Sequence, residues 1–312
     1  IAVIAYQQVA FTEGGLAMLA VLGTFALGAQ RLLPAGQQIF AAITSINGSK
    51  ASMEDVLHFL NLNVLEHDTG RLEPLPFKKS MRLKNVTFSH DGQKEPILNN
   101  ISLTIRHGEC LGILGETGSG KSTLLAMIMG LIDVSSGKIE IDGRVCKGEN
   151  VVRWRHNVCH VPQGVFLFDG TITENITLQA DASKIDRIRL EAAIDAAQLR
   201  STLNGLSEGL ETVVGERGGR VSGGELQRIG IARALYRDRD ILVLDEATSA
   251  LDQDTEALIM RKITSSSSNK TTIIVAHRLN SLKDCDRLAL LRDGELLIVE
   301  SGTEEFNKLI VN

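Results

Sequence analysis

Residues 115–123, GETGSGKST, combine glycines, a lysine and hydroxyls at a spacing that suits phosphate binding. The apolar run CLGIL precedes them and the helix-like run TLLAMIMG overlaps their end, so a strand, a loop and a helix follow one another. Glycines let the backbone approach an anion closely, and the first amides of a helix favour negative charge. The alternative is a glycine-rich turn with a solvated lysine, which would not require this order of elements.

Two side chains in this loop suit specific roles in phosphate chemistry. Lys121 would bridge the β- and γ-phosphates of a nucleotide, and Ser122 would give its hydroxyl to Mg²⁺. The loop therefore predicts a site for a nucleotide and its magnesium ion. The residues expected to contact the nucleotide here are Gly115, Glu116, Thr117, Gly118, Ser119, Gly120, Lys121, Ser122 and Thr123.

A second candidate site is the end of the apolar run ILVLDE, residues 241–246. Ligands of open α/β sheets bind at the carboxyl ends of the strands. Asp245 would reach Mg²⁺ through water, and Glu246 would act as the general base that polarises the attacking water. An acidic strand end is a weak signal by itself, but it becomes specific together with the phosphate loop.

Two further polar residues follow strand-like runs. His277 ends TTIIVAH, where it could contact a γ-phosphate, although a histidine after an apolar run is more often a core or surface residue. Gln163 follows VCHV and offers an uncharged amide oxygen to Mg²⁺ or to the attacking water. Residue chemistry alone favours a surface-loop glutamine at this position.

The elements that must position these residues alternate between strand-like and helix-like runs. This alternation predicts an α/β domain with a largely parallel central sheet. Residues 170–236 are poor in β-branched runs and rich in Ala, Leu, Glu and Arg, which predicts an inserted helical subdomain. The strand-like runs are 81–88, 101–105, 110–115, 241–246 and 271–277, and the helix-like runs are 122–131 and 254–263.

The composition argues against several classes of function. A length of 312 residues suggests about two domains. The net charge of −5, without a Lys/Arg block, and an aromatic content of 4% argue against a nucleic-acid partner. Cys110, Cys146, Cys159 and Cys285 lack the spacing of a zinc site or a disulfide framework. We therefore expect reduced thiols in a cytosolic domain.

The N-terminal stretch differs from the rest of the chain. Apart from Arg31, residues 15–43 are uncharged and long enough to supply a membrane span of about 20 residues, with Pro34 as a kink. Residues 1–12 would be the tail of a preceding span. The alternatives are a buried helix hairpin of a soluble domain and a signal peptide, which would need a basic n-region. Because the first residue is Ile, we expect the chain to be a fragment.

Three parts are expected along the chain. Residues 1–62 would be the C-terminal remnant of a transmembrane domain, with helical apolar spacing that continues through 50–62 into a cytosolic extension. Residues 63–80, with two prolines, predict a linker. Residues 81–312 would form the compact domain that carries the phosphate loop.

With these motifs in this order, residues 81–310 resemble the ATP-binding cassette (ABC) family. GETGSGKST resembles its Walker A motif, ILVLDE its Walker B motif, SALD (249–252) its D-loop and VSGGELQ (221–227) its signature motif. Gln163 matches the Q-loop glutamine and His277 the switch histidine. The resemblance implies a P-loop NTPase fold with a largely parallel core sheet, an antiparallel β subdomain and an inserted helical subdomain, preceded by a transmembrane α-helical segment.

The resemblance also implies a second copy as partner. In the family, two such domains pack head to tail, and the signature motif of one closes over ATP held by the Walker A loop of the other. Ser222, Gly223 and Gly224 would bind the γ-phosphate of the partner's ATP at the start of a helix, and Asp252 of the D-loop would also lie at the nucleotide. The complete catalytic set favours a homodimer over a heterodimer.

This sequence departs from the family pattern at three positions. Val221 replaces the usual Leu of the signature motif, which is a mild change. Glu225 replaces Gln, and because phosphate repels a carboxylate we expect Glu225 to face away or toward a basic neighbour. His90, in FSH, stands where the family has a Tyr that stacks on adenine, and an imidazole offers less stacking area.

Two regions resemble exporter-type members of the family. The resemblance covers residues 213–218 and 154–176. In the second stretch, it implies that Phe166, Leu167 and Phe168 form part of an apolar cleft that holds a coupling helix. The alternative is that these three side chains pack in the core. Residues 25–57 resemble the last membrane helix of exporters related to flippases of lipid-linked oligosaccharides and polysaccharides.

The resemblance implies an exporter half-transporter that is multi-pass in the inner or plasma membrane, with its ATPase domain in the cytoplasm. It would contact membrane lipid and move a lipid-linked glycan or other glycolipid, with a peptide, lipid or drug as alternative cargo. A soluble ABC ATPase is a rival that residues 9–43 disfavour. A non-catalytic nucleotide-binding regulator is a second rival, which the intact LDE and His277 disfavour.

Overall fold

The computed structural model describes residues 15–61, 72–90, 95–215, 221–265, 270–276 and 278–311. It divides into two compact units, Ile1–Glu66 and His67–Asn312.

The first unit contains one long helix, α1 (Gly15–Leu60), of 46 residues. Pro34 lies inside it and does not end it, and the helix continues through residues 50–60 as the apolar spacing predicted. Within the described residues, its part from Met18 to Leu60 is long and apolar enough to cross a membrane, and none of the most apolar window is buried. The expected tail of a preceding span, residues 1–12, lies outside the described residues.

The second unit contains two sheets. The four-stranded sheet has the order β2-β1-β4-β5 and is antiparallel. The six-stranded sheet has the order β10-β9-β3-β8-β7-β6. The strands are β1 (Ser80–Phe88), β2 (Leu98–Arg106), β3 (Cys110–Gly115), β4 (Ser136–Ile141), β5 (Arg144–Val145), β6 (Val158–Val161), β7 (Ile241–Asp245), β8 (Thr271–Val275), β9 (Arg287–Arg292) and β10 (Glu295–Glu300).

The six-stranded sheet confirms the predicted, largely parallel core. β3 pairs in parallel with β8 and β9, and β7 pairs in parallel with β6 and β8, while only the β9–β10 pair is antiparallel. All five residues of β8, two threonines followed by three aliphatic residues, are buried. This is expected of a parallel strand that is covered on both faces. The antiparallel second sheet is also as the resemblance implied.

Helices cover the sheets, and one group of them lies between β6 and β7 in the chain. This group, α4 to α7, confirms the predicted helical subdomain within residues 170–236. The helices of the second unit are α2 (Lys121–Ile128), α3 (Glu149–Arg155), α4 (Ile172–Thr177), α5 (Arg187–Ala196), α6 (Arg200–Asn204), α7 (Gly223–Arg237), α8 (Gln253–Ser265) and α9 (Glu304–Val311).

The core has two halves, one on each face of the six-stranded sheet. Successive side chains of a strand point to opposite faces. Accordingly, Ile241 and Val243 of β7 pack with the four-stranded sheet and α2, whereas Leu242 and Leu244 pack with the helical group and α8. β7 is thereby fixed from both sides, which holds its carboxyl end in place.

The structure differs from the predicted linker at its C-terminal end. Leu75 and Phe77 are 0% and 4% exposed, so the segment before β1 is part of the core. The Leu75 amide donates to the Arg153 carbonyl over 3.1 Å, and the Asn157 side-chain amide donates to the Leu75 carbonyl. Leu75, between the two prolines, and Phe77, after the second, are buried apolar side chains, whereas a solvated linker would leave them exposed.

Candidate functional site

The phosphate loop joins the end of β3 to the start of α2. Gly118 and Gly120 have φ values of +85° and +100°, which an L side chain adopts only with strain. A Cβ at Gly115 would lie 2.4 Å from the Leu291 carbonyl oxygen, and one at Gly120 would lie 2.9 Å from Leu98 Cδ2. Glycine is therefore required at these positions by the backbone shape and by close packing.

The groups of this loop fit an anion. Lys121 Nζ donates to the carbonyls of Gly115 and Glu116 over 2.7 and 2.8 Å, which fixes the ammonium along the loop. Ser119 Oγ is buried and has no hydrogen-bond partner among the described residues. No side chain caps the amides at the start of α2, although the first amides of a helix lack partners within it. A lysine, an orphan hydroxyl and uncapped amides suit a phosphate.

The two acids lie where β7 ends beside β8. Asp245 pairs with Val275 in the parallel ladder. Burial raises the pKa of Asp245 above its ordinary value, with the nearby Glu246 adding to this and His160 and Lys121 opposing it. In the six-stranded sheet β8 lies between β3 and β7 and is parallel to both, so the phosphate loop after β3 and the acids at the end of β7 lie at the same edge of the sheet.

Glu246 is held in an unusual backbone conformation. Its φ is +51°, in the left-handed region that few non-glycine residues adopt, and its amide donates to the Val275 carbonyl over 2.9 Å. Gln163 Nε2 donates to Glu246 Oε2 over 2.7 Å. The structure thus brings Gln163 to the acid, where residue chemistry alone favoured a surface-loop glutamine. His277 lies outside the described residues.

The signature stretch begins α7 with a reciprocal cap. Ser222 Oγ accepts from the Glu225 amide over 3.3 Å, and Glu225 Oε2 accepts from the Ser222 amide over 2.8 Å. Glu225 Oε2 also lies 2.8 Å from Ser222 Oγ. Glu225 therefore does not face away as expected but turns back to the helix start. The spacing S-x-x-E, visible in the sequence, is the signal for this capping box.

Gly223 and Gly224 are the first residues of α7 and pack against the D-loop of the same chain. A Cβ at Gly224 would lie 3.3 Å from the Ala250 carbonyl oxygen. Asp252 caps α8, because its Oδ1 accepts from the Thr255 amide over 2.9 Å, and this bond lowers the pKa of Asp252. The capping bond does not test the expected contact of Asp252 with nucleotide.

The remaining candidates lie on the surface or in the core. His90 is exposed and meets Phe88 edge-on, with ring centroids 5.1 Å apart. Phe166 is 64% exposed and Phe168 is 37% exposed, whereas Leu167 is fully buried in the core. Leu167 therefore follows the core-packing alternative, and Phe166 and Phe168 remain candidates for the apolar cleft.

Sequence reasoning missed three side chains that hold the turn after Glu246. Gln227 of α7, Glu256 of α8 and Arg278 after β8 all bond residues of this turn. Their partners are 22, 8 and 27 positions away in the chain. Such long-range contacts have no local sequence signal, although Gln227 lies within the signature stretch itself.

Comparisons with known proteins relate this chain to ABC proteins. The family described as "ABC transporter" matches residues 98–249. The ATP-dependent lipid A-core flippase of Haemophilus ducreyi is 36% identical over 268 residues, which cover 85% of this chain and 45% of that protein. The protein of the same description from Escherichia coli K12 is 39% identical over 240 residues, covering 77% and 39%. The chain thus spans less than half the length of these relatives.

A solved structure gives the same fold. It is described as a bacterial Atm1-family ABC exporter with ATP bound, and it is 33% identical to this chain with a TM-score of 0.70. The similarity covers 81% of this chain and 44% of that protein. The second unit is accordingly an ABC-type ATPase domain with a nucleotide-binding loop. Residues 98–249 thus belong to the ABC transporter family.

Proposed function

We propose that this chain is the C-terminal part of an exporter half-transporter that hydrolyses ATP to move a substrate across a membrane. The observation that carries the ATPase part is the meeting of three groups at one edge of the sheet. Lys121 lies within electrostatic reach of the end of β7, and Gln163 donates to Glu246 there. A phosphate-binding lysine, a base and a residue that orients the base are what attack by water on a phosphate needs.

The residues of the loop would bind and orient ATP. Lys121 would contact the β- and γ-phosphates, and the amides from Gly118 to Thr123 would hold the β-phosphate. Ser119 Oγ, buried without a partner among the described residues, would find an acceptor there. Glu246 would accept a proton from the attacking water, while Gln163 fixes the direction of its carboxylate.

Mg²⁺ fits the oxygen atoms that the chain brings to this edge. Ser122, Gln163 and Asp245 would hold it, the acid through a water molecule, because Mg²⁺ prefers oxygen ligands and keeps part of its water shell. Bound Mg²⁺ would neutralise negative charge on the phosphates. His277 is proposed to contact the γ-phosphate, on the resemblance alone.

A second copy of the chain would complete each site. The signature residues Ser222 and Gly223 are exposed at the start of α7, where the helix dipole favours an anion. Together with Gly224 they would bind the γ-phosphate of ATP held by the partner. The intact set of catalytic residues supports a homodimer with two composite sites, and Asp252 would lie at the same interface.

The membrane part and the cargo rest on α1 and on the relatives. α1 is long and apolar enough to cross a membrane, so we place the protein in the inner or plasma membrane as a multi-pass protein, with the ATPase domain in the cytoplasm. The relatives are described as lipid A-core flippases. A glycolipid, such as a lipid-linked oligosaccharide, is therefore the proposed cargo.

Phosphate release from the chain reconstituted in lipid vesicles tests the ATPase part. Wild type should release phosphate from ATP with Mg²⁺, and Lys121→Met should lose most of this activity, because the lysine contacts the transferred phosphate. Lys147→Met is the matched control, since Lys147 is exposed in a loop before α3. Equal activity of Lys121→Met and wild type would contradict the proposal.

The cargo is tested in the same vesicles. Added lipid A-core glycolipid should stimulate phosphate release more than a phospholipid of similar acyl content does. If a peptide or a hydrophobic drug stimulates phosphate release and the glycolipid does not, the glycolipid is excluded as cargo. The proposal that the protein is an exporter would still hold. An active ATPase that remains in the soluble fraction after cell breakage would instead favour the soluble ABC ATPase.

A further inference from the structure

The turn that follows Glu246 is held by a side chain of the signature helix. Gln227 lies on α7 and is only 4% exposed. Its Nε2 donates to Ser249 Oγ over 2.9 Å, and its Oε1 accepts from the Ala250 amide over 2.9 Å. A single amide group therefore bonds two consecutive residues, using its donor for one and its acceptor for the other.

The same turn carries the proposed base. The Ser249 amide donates to the Glu246 carbonyl over 3.2 Å, so the residues that Gln227 bonds close the turn that begins at Glu246. Glu246 has a φ of +51°. A non-glycine residue keeps such a conformation only when its surroundings determine it, and the bonds of Gln227 are part of those surroundings.

Two other side chains also bond residues of this turn. Arg278 donates to the carbonyls of Ser249 and Leu251 over 3.2 and 3.0 Å. Glu256, 5% exposed, accepts from the Thr248 hydroxyl over 2.6 Å. Both come from outside α7, so among the described side-chain hydrogen bonds those of Gln227 join the signature helix to this turn.

We propose that Gln227 is a positioning residue for Glu246, which ties the orientation of the base to the signature helix of the same chain. The inference rests on the proposed role of Glu246 as general base. α7 begins at Ser222 and Gly223, which would bind the ATP of the partner, and Gln227 lies a little more than one turn further along. Any displacement of α7 is thereby passed to the residue that would activate water on the chain's own ATP.

Loss of the Gln227 amide should change the orientation of Glu246 more than the free energy of unfolding. Ser249 and Ala250 are exposed, so water can bond their polar groups when the amide is removed, and little free energy of unfolding is lost. The phosphate loop does not contact Gln227 in any described hydrogen bond. ATP binding should therefore persist in a variant whose hydrolysis is slow.

The test compares variants of the full chain reconstituted in vesicles. Gln227→Met, which has similar length and makes neither bond, should lower kcat about 10- to 100-fold through misplacement of the base. Its affinity for a fluorescent ATP analogue and its Tm should stay near those of wild type. Gln227→Glu, which keeps an acceptor for the Ala250 amide and the Ser249 hydroxyl, should recover part of the lost kcat. Gln179→Met, at an exposed glutamine after α4, is the matched control.

A second substitution tests whether Gln227 acts on kcat through its bond to Ser249. Ser249→Ala should lower kcat in wild type but have no further effect in the Gln227→Met background, because both remove the same contact. Equal kcat of Gln227→Met and wild type would overturn the inference. A parallel loss of Tm, analogue binding and kcat in Gln227→Met would also overturn it. So would an effect of Ser249→Ala on kcat that is as large in the Gln227→Met background as in wild type. Absence of phosphate release from wild type would instead contradict the proposed function.

Discussion

Glu246 shows how a single residue at this site depends on its neighbours. Its left-handed backbone costs about 1–3 kcal/mol in other contexts, and the bonds of its amide to Val275 and of its carboxylate to Gln163 hold it in place. Such strain is concentrated at active sites, where a side chain must point in one direction. His90 also has a neighbour that orients it, since its ring meets Phe88 edge-on.

Replacing His90 by Tyr should strengthen ATP binding. A phenol ring covers more of adenine than an imidazole ring does, and one aromatic contact contributes about 0.5–1.5 kcal/mol. We expect His90→Tyr to bind ATP about threefold more tightly, a change of about 0.6 kcal/mol at the lower end of that range. Isothermal titration of the reconstituted chain measures it.

Inorganic triphosphate is the control ligand for this prediction. It carries the phosphates but no base, so its affinity should be the same in both proteins. Equal affinity of His90→Tyr and wild type for ATP would refute stacking at this position.

Short turns set several elements of the ATPase domain. Asp142-Gly143 joins β4 to β5 and Asp293-Gly294 joins β9 to β10, with φ values of +48° and +84° in the first and +50° and +76° in the second. These are the values of a type I′ hairpin turn, which Asp-Gly favours. Asp142 has a further role, since its carboxylate accepts from three consecutive backbone amides, those of Lys78, Lys79 and Ser80.

The stability of the ATPase domain should therefore depend on pH through Asp142. Although burial acts to raise the pKa of Asp142, the bonds from Ser80, Lys78 and Lys79 hold it below the ordinary value. A carboxyl group whose pKa is lowered in the folded state stabilises the fold above its unfolded pKa, and this contribution is lost as the pH falls through the folded pKa. Asp142→Asn should lower the free energy of unfolding at pH 7 by about 1 kcal/mol.

Thermal unfolding between pH 7 and pH 3 checks this prediction. The difference between Asp142→Asn and wild type should be largest at neutral pH and should shrink as the pH falls below about 4, because the unfolded chain then takes up a proton that the folded carboxylate, with its lowered pKa, does not yet bind. Asp293→Asn is the matched control, because it keeps an equivalent turn without the three amides. A difference that does not change with pH would show that the charge of Asp142 has no part in it.

Across the molecule, the sequence predicted the features that are local or periodic. The apolar runs of β7 and β8 predicted a parallel sheet, and the glycines between β3 and α2 predicted the phosphate loop. The burial of Leu75 and Phe77, within the predicted linker, could not be predicted from the sequence. It depends on contacts with Asn157 and Trp154, which are distant in the chain. The turn after Glu246 could not be predicted either, since Gln227 and Arg278 reach it only in the folded chain.

The proposed dimer follows from two anion-binding helix starts on one chain. α2 begins at the phosphate loop of the chain's own ATP, and α7 begins at Ser222, where a capping box already places Glu225. Each would serve a different nucleotide, so neither site is complete in a single copy. This arrangement makes turnover, and not binding, the property that depends on both copies.

Glu246→Gln tests most directly whether this chain hydrolyses ATP with Glu246 as the general base. The substitution keeps the size of the side chain and an oxygen that can accept from Gln163, but it removes the base. Single-turnover phosphate release from the reconstituted chain should fall about 10²- to 10⁴-fold, while ATP binding persists and the ATP-bound protein accumulates as a closed dimer. Phosphate release at the wild-type rate would contradict the assignment.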